Sequence, residues 1–176
     1  MKYFILCGFI LACQFAMGQK TAPRTTRQIL LDQLKTTHNK EEWFVPVNVA
    51  IAGLTAKQAN WKPDSGSHSI AQLTYHLIYW DEAELALFKG EKPRPFNGNN
   101  DITFENLDHK TWRSTAVTMD SVLTAWENAI TQASDAKLEK WYDIIGHVST
   151  HNAYHIGEIL YVRKLEGVWN PANGVR

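Results

Sequence analysis

Trp141-Tyr-Asp-Ile-Ile-Gly-His147-Val-Ser-Thr-His151-Asn-Ala-Tyr-His155-Ile-Gly-Glu158-Ile-Leu-Tyr-Val-Arg163-Lys164-Leu165 carries more structural information than any other part of this chain. It contains no proline, places two basic residues in its last turn where they suit the helix dipole, and is followed by Gly167, a normal helix stop. The spacing predicts a helix from about Trp141 to Leu165. On it His151 and His155 stand four residues apart, roughly 5–6 Å at Cβ, with His147 one turn earlier. At about 100° per residue, Ile144, His151, Glu158, Val162 and Leu165 share one narrow sector, and His147 and His155 flank His151 by roughly 40° on either side. The stripe is apolar at both ends and polar in the middle. An unpaired imidazole or carboxylate on a core face is expensive, and one cation can satisfy several at once. A lone histidine there would read as a polar residue bonded to water or a carbonyl; the clustered set reads as a metal site.

Working back towards the N-terminus, nearly every periodic stretch is helical. Thr25-x-x-Gln28 is a capping-box pattern opening a helix with Ile29, Leu30 and Leu34, continued by Phe44, Val47, Ile51 and Leu54, with Pro46 expected to kink or split it. Ser69-x-x-Gln72 repeats the start signal, and Ile70, Leu73, Leu77, Trp80, Leu87 and Phe88 form an apolar stripe ending at Gly90. Pro93, Pro95, Gly98 and the polar run from Asn97 to Asp101 then predict a long connection up to about Ser114. Long connections of this kind are usually lids or binding loops. Val122, Trp126, Ala129, Ile130 and Ala133 give the next helix, bounded by Ser134-Asp135. The expected fold class is all-α, an up-down type four-helix bundle with a long loop between its second and third helices.

The bundle supplies the missing ligand. His76 stands beside Leu73, Leu77 and Trp80 at the edge of the second helix's inward stripe, where it can face His151 and His155. Three neutral histidines with positions left for water describe a catalytic metal centre rather than a closed structural one. His38, His68 and His109 have no partner spacing and read as solvated surface residues. Glu84 falls in the second helix's stripe two turns after His76, and reads as a carboxylate reaching solvent past Leu87 and Phe88. Tyr154, Trp80, Trp112 and Trp126 could wall a pocket, but aromatics at helical spacing are usually core.

The first eighteen residues read as a secretory signal: Lys2, the apolar run Tyr3 to Ala16, and the small-x-small ending Ala16-Met17-Gly18. Domain boundaries are therefore 1–18 for the signal and 19–176 for a single domain. The apolar run is shorter than the ~20 residues of a spanning helix, so no stable membrane span is expected in the mature protein. A variant reading takes Ile10-Leu11-Ala12-Cys13 as a lipobox, giving a lipoprotein anchored at Cys13. Both cysteines, Cys7 and Cys13, lie in the leader, so a chain starting at Gln19 has no thiol and must hold a metal through His, carboxylate and water. Cleavage removes Lys2 and leaves 17 basic against 18 acidic residues. Near-zero net charge without a basic cluster excludes nucleic acid as a partner.

Asn60-Trp61-Lys62-Pro63, Ser69-Ile-Ala-Gln-Leu-x-x-His76-Leu-x-x-Trp80 and His151-x-x-Tyr-His155-x-Gly157, closed by Arg163-x-x-x-Gly167, together resemble the DinB-like (YfiT-like) superfamily of four-helix metalloproteins. The resemblance spans essentially the whole mature chain. It implies a divalent metal ion, zinc or nickel, held by His76, His151 and His155. His147 is not a ligand in that mapping; it is expected behind the ligands, hydrogen-bonding within the site, or else as a core-edge histidine. Members often carry Gln where this chain has Glu158, which here could serve as general base, fourth ligand or orienting acceptor for an imidazole N–H.

A Lewis-acidic ion in such a site supports hydrolysis through metal-bound water or transfer through a metal-bound thiolate. The expectation is an exported, metal-dependent hydrolase acting on a small-molecule substrate of unknown identity, with Glu158 as a catalytic proton carrier. Two alternatives stand beside it: a thiol-dependent transferase like some relatives, disfavoured because low-molecular-weight thiols are kept mainly inside cells, and a non-catalytic metal-binding or interaction module. A DNA-damage role conflicts with the neutral charge and the leader. Pairing as a homodimer through an exposed helix face is expected of a bundle of this size.

Overall fold

A computed structural model describes residues 23–105 and 111–174. The expected leader, with Cys7 and Cys13, and His109 lie outside the described residues. The described chain is all-helical, with no strand. Helix α1 (Thr26–His38) starts at the Thr25–Gln28 capping box. Pro46 breaks the apolar pattern beyond α1: it caps the short helix α2 (Val47–Ala50), and Thr55 with Gln58 forms a second capping box opening α3 (Ala56–Ala59). Ser69 and Gln72 open α4 (Ile70–Lys89), which ends on Gly90 at φ 80°, a left-handed conformation that glycine adopts without steric cost. After a one-turn 3₁₀ segment (Asn100–Phe104) come α5 (Trp112–Gln132) and α6 (Asp135–Leu165). Helix α6 begins earlier than Trp141 because Ser134 caps it.

Each of the four long helices packs against two others: α1 and α4 both contact α5 and α6. Cross-helix contacts fix their directions. His76 meets His151 while Phe88 meets Trp141, so α4 and α6 are antiparallel. His38 reaches Asp120 while Arg27 reaches Ala133, so α1 and α5 are antiparallel as well. Helix α6 follows α5 after a short turn, so α4 and α5 run the same way, and the long connection has to return the chain along the bundle. It does so on the flank of α4: Arg94 pairs with Glu82, Pro95 accepts from Tyr79, Phe96 packs on Trp80, and Thr103 and Phe104 reach His76. The core lies between the four helices, with Leu34, Ile70, Leu77, Leu123, Trp126 and Ile156 among its fully buried side chains. Among the described residues no helix is long and apolar enough to cross a membrane.

Two long polar side chains tie the bundle together from within. Arg27 on α1 donates to the carbonyls of Ile130 and Ala133 and pairs with Asp135, capping the end of α5. Arg163, read from sequence as a last-turn charge, is buried. It donates to the carbonyls of Ala50 at 2.6 Å and Ala52 at 2.8 Å, satisfying the orphan end of α2, and lies over the Trp169 ring. His38 also departs from expectation: it is 1% exposed, with Glu127 Oε1 at 2.6 Å from Nδ1 and Asp120 Oδ1 at 2.9 Å from Nε2. Each ring nitrogen thus faces a carboxylate oxygen of α5. The position of His38 at the end of α1 suggested solvent, but α5 runs alongside that end and sets Asp120 and Glu127 against the ring.

Replacing Arg163 by Met should destabilise the protein by about 3 kcal/mol, because buried carbonyls lose charged donors. Arg163→Lys should recover only part of this, since a single ammonium cannot fork across two carbonyls. Urea unfolding of both variants tests the assignment; an unchanged midpoint in Arg163→Met would contradict it.

Candidate metal centre

The capping box at Ser69 sets the start of α4, which places His76 in its second turn; the antiparallel α6 then brings His151 and His155 opposite. One ring nitrogen from each of the three lies within 4.8 Å of the others. His151 Nε2 stands 3.2 Å from His76 Nε2 and 3.1 Å from His155 Nε2. His76 and His155 are buried, and His151 is half-buried.

The outer ring nitrogens determine where the protons sit. Thr103 Oγ1 donates its single hydrogen to the Asn100 carbonyl at 2.6 Å, so at 2.6 Å from His76 Nδ1 it must accept. Glu158 Oε2 accepts from His155 Nδ1 at 2.5 Å. Both rings therefore carry the proton on Nδ1 and aim an Nε2 lone pair inwards at His151. One imidazole N–H on His151 could satisfy only one of them. A divalent cation satisfies all three, and three neutral imidazoles are an ordinary donor set for a zinc-class ion. Burial, aided by the neighbouring His155 and His151 rings, lowers His76 to about 3; burial and the His155 ring lower His151 to about 4. Both are neutral, metal-ready ligands at physiological pH.

The loop and α6 close around the rings. Phe104 stacks between His76 (4.1 Å) and His68 (3.8 Å), so His68 is exposed yet engaged rather than merely solvated. Tyr154, 65% exposed, meets His155 edge-on. His147 is exposed and sits one turn from His151 on the wall of an adjoining cavity that also includes Glu84 and Trp80. Trp112 and Trp126 serve packing, their indole N–H groups donating to the carbonyls of Leu54 and Asp81.

The buried face of α6 is rotated from the expected sector. Ile145, Asn152, Ile156 and Ile159 point inwards, Ile144 and Glu158 stand at the edge, and Leu165 is 49% exposed. The helix faces two neighbours, α1 and α4, and its burial centres between them. Two polar groups escaped the sequence reading. Asp81 is fully buried and takes a bond from Asn152 Nδ2 at 3.2 Å; burial pushes its carboxyl well above the usual range. Its row with Leu77 and Leu85 was the available signal. Thr103 had none, because nothing periodic marks a loop residue.

The sequence profile of the DinB superfamily matches residues 47–159, and the chain belongs to that superfamily. No curated protein and no solved structure matches it. Membership and the three gathered histidines together fit a metal-binding DinB-like protein.

Elemental analysis should find about one equivalent of a divalent ion per chain, lost in the His151→Ala, His155→Ala double variant, and weaker by roughly 10–100-fold in Thr103→Val. Metal-free protein should also show a pH signature. The folded values of His76 and His151 lie below the ordinary 6.5, so between about pH 6.5 and 4 the unfolded chain binds more protons. Stability should therefore fall as pH drops through that window, less steeply in His76→Asn. Parallel slopes for the two proteins would contradict the neutral, buried assignment of His76.

Proposed function

We propose that this member of the DinB superfamily is an exported, metal-dependent hydrolase that acts on a small molecule through a divalent ion held by His76, His151 and His155. The observation that supports it is the inward aim of Nε2 on His76 and His155, enforced from outside by Thr103 and Glu158. When bound, such an ion supplies Lewis acidity, polarising a substrate oxygen and making water easier to deprotonate. The chain supplies the rest. Thr103 and Phe104 hold His76 and keep bulk water from its face. Glu158 fixes the His155 tautomer through Oε2, while no described residue donates to its Oε1. Glu158 is half-buried and borders a second cavity with His68, Leu73 and Tyr161, which supports a role for its free oxygen as proton acceptor at the edge of the centre. Zinc and nickel both suit the nitrogen donors. Export rests on the Lys2 to Gly18 leader and agrees with a mature chain without thiols.

Glu158→Gln keeps an acceptor for His155 but removes the proton-carrying charge. In a screen of ester, amide and phosphoester substrates at pH 7, it should lower kcat/KM by roughly 10²–10⁴-fold with metal content unchanged. No turnover by the wild type, combined with a sharp loss of thermal stability on chelation, would instead assign the metal to pinning α4 against α6.

A further inference from the structure

A cavity of about 270 Å³ runs along the seam between α4 and α6, beginning at His151 and continuing past Trp80 and His147 to Glu84 and Ile144. From His151 to Ile144 is about 10 Å of helix at 1.5 Å per residue, so the space is elongated and suits a small, narrow ligand. Trp80, Ile144 and Val148 give it apolar walls, interrupted by His151, His147 and Asp81 and, at the far end, by Glu84. Glu84 is half-buried, and no described residue donates a hydrogen bond to it or pairs with it. The neighbouring acids on α4 are accounted for otherwise: Asp81 accepts from Asn152, and Glu82 pairs with Arg94. Burial raises the Glu84 carboxyl above its ordinary value, the mark of an acid lacking a counter-charge.

A second metal ion does not supply that charge. Among the described residues the only group of His, Cys, Asp and Glu gathered closely enough for an ion is the His76, His151, His155 set. An organic cation fits better. Trp80 stands one helical turn from Glu84 on the same cavity wall, and an indole beside a carboxylate is a favourable environment for an ammonium group. Phe96 from the long loop packs on Trp80 at 5.1 Å between ring centres and steadies it.

We propose that this cavity binds a small, extended primary amine, its ammonium group at Glu84 and Trp80 and its other end directed at His151. The inference rests on the metal-centre reading for the role of the far end, and on the cavity alone for the amine. The substrate class is then an aliphatic chain carrying an ammonium group at one end and a hydrolysable group about 10 Å away.

Calorimetric titration of n-hexylamine, with 1-hexanol as its uncharged counterpart, tests this on the wild type and on Glu84→Gln, each assayed in parallel for zinc content. The wild type should prefer the amine by about tenfold or more, a gap of about 1.4 kcal/mol. Glu84→Gln should lose that preference while keeping its hexanol affinity and its zinc. Trp80→Leu should weaken the amine more than the alcohol. Equal affinities for amine and alcohol in the wild type, or a preference that survives in Glu84→Gln, would overturn the proposal. The two readings fail separately: zinc bound without amine selectivity removes only the amine site, and amine selectivity without zinc removes only the metal centre.

Discussion

The register between α4 and α6 is the constraint on which the rest depends. Three contacts fix it along its length: His76 with the two α6 histidines, Asp81 with Asn152, and Phe88 with Trp141. A slip of one helical turn would move the rings by about 5.4 Å, enough to separate any three that share an ion. The polar contacts serve as register markers because a buried Asn or acid has few satisfactory alternatives, whereas apolar ridges can re-pack in neighbouring grooves. Beyond the histidines, Arg163 ties the far end of α6 to the carbonyls after α2. The α4–α6 register is thus held at the histidines and along the seam on one side of them, while Arg163 anchors the other end of α6 to the carbonyls around the end of α2.

Local features were the legible ones. The capping boxes at Thr25 and Ser69, the break at Pro46, the stop at Gly90 and the histidine pair on α6 each involve residues within a few positions of one another, so sequence spacing alone carries them. His76 was legible at one remove, through the stripe on α4. The burial of His38 was not, because it depends on α5 packing alongside the end of α1, a fact about which helices touch. The face of α6 was misplaced for a related reason: a helix packed against two neighbours buries the arc between them, and polar Asn152 lies at its middle while apolar Leu165 lies outside it. Thr103 was invisible because a loop residue has no period.

Topology and site are coupled through the long connection. With α4 and α5 running in the same direction, the chain has to travel back along the bundle, and it follows the flank of α4 that carries His76. A short hairpin could not supply Thr103 and Phe104 to that ring. The loop is held on α4 by specific contacts, Arg94 to Glu82 and Phe96 to Trp80, which keep Thr103 and Phe104 beside His76. The polar content of the seam carries a cost in stability, since His76, His155, Asp81 and Asn152 occupy space that apolar side chains could fill. Functional sites commonly bear such a cost, and here it is confined to a few turns of two helices.

The covering of the three rings is unequal, and that inequality gives the centre a direction. His76 lies beneath Phe104; His155 is bonded to Glu158 on one side and met edge-on by Tyr154. His151 has neither cover: it is half-buried, no carboxylate or hydroxyl among the described residues is bonded to its ring, and it forms the end wall of the cavity along the seam. Anything approaching the converging nitrogens by way of that cavity passes Trp80 and Glu84 first. Those two residues stand on α4, the helix that also carries His76, within the length of chain that the loop clamps. The distance from Glu84 to the nitrogens is therefore set by rigid helix, so the far end of a bound ligand would be presented to the centre at a fixed separation, as productive orientation requires.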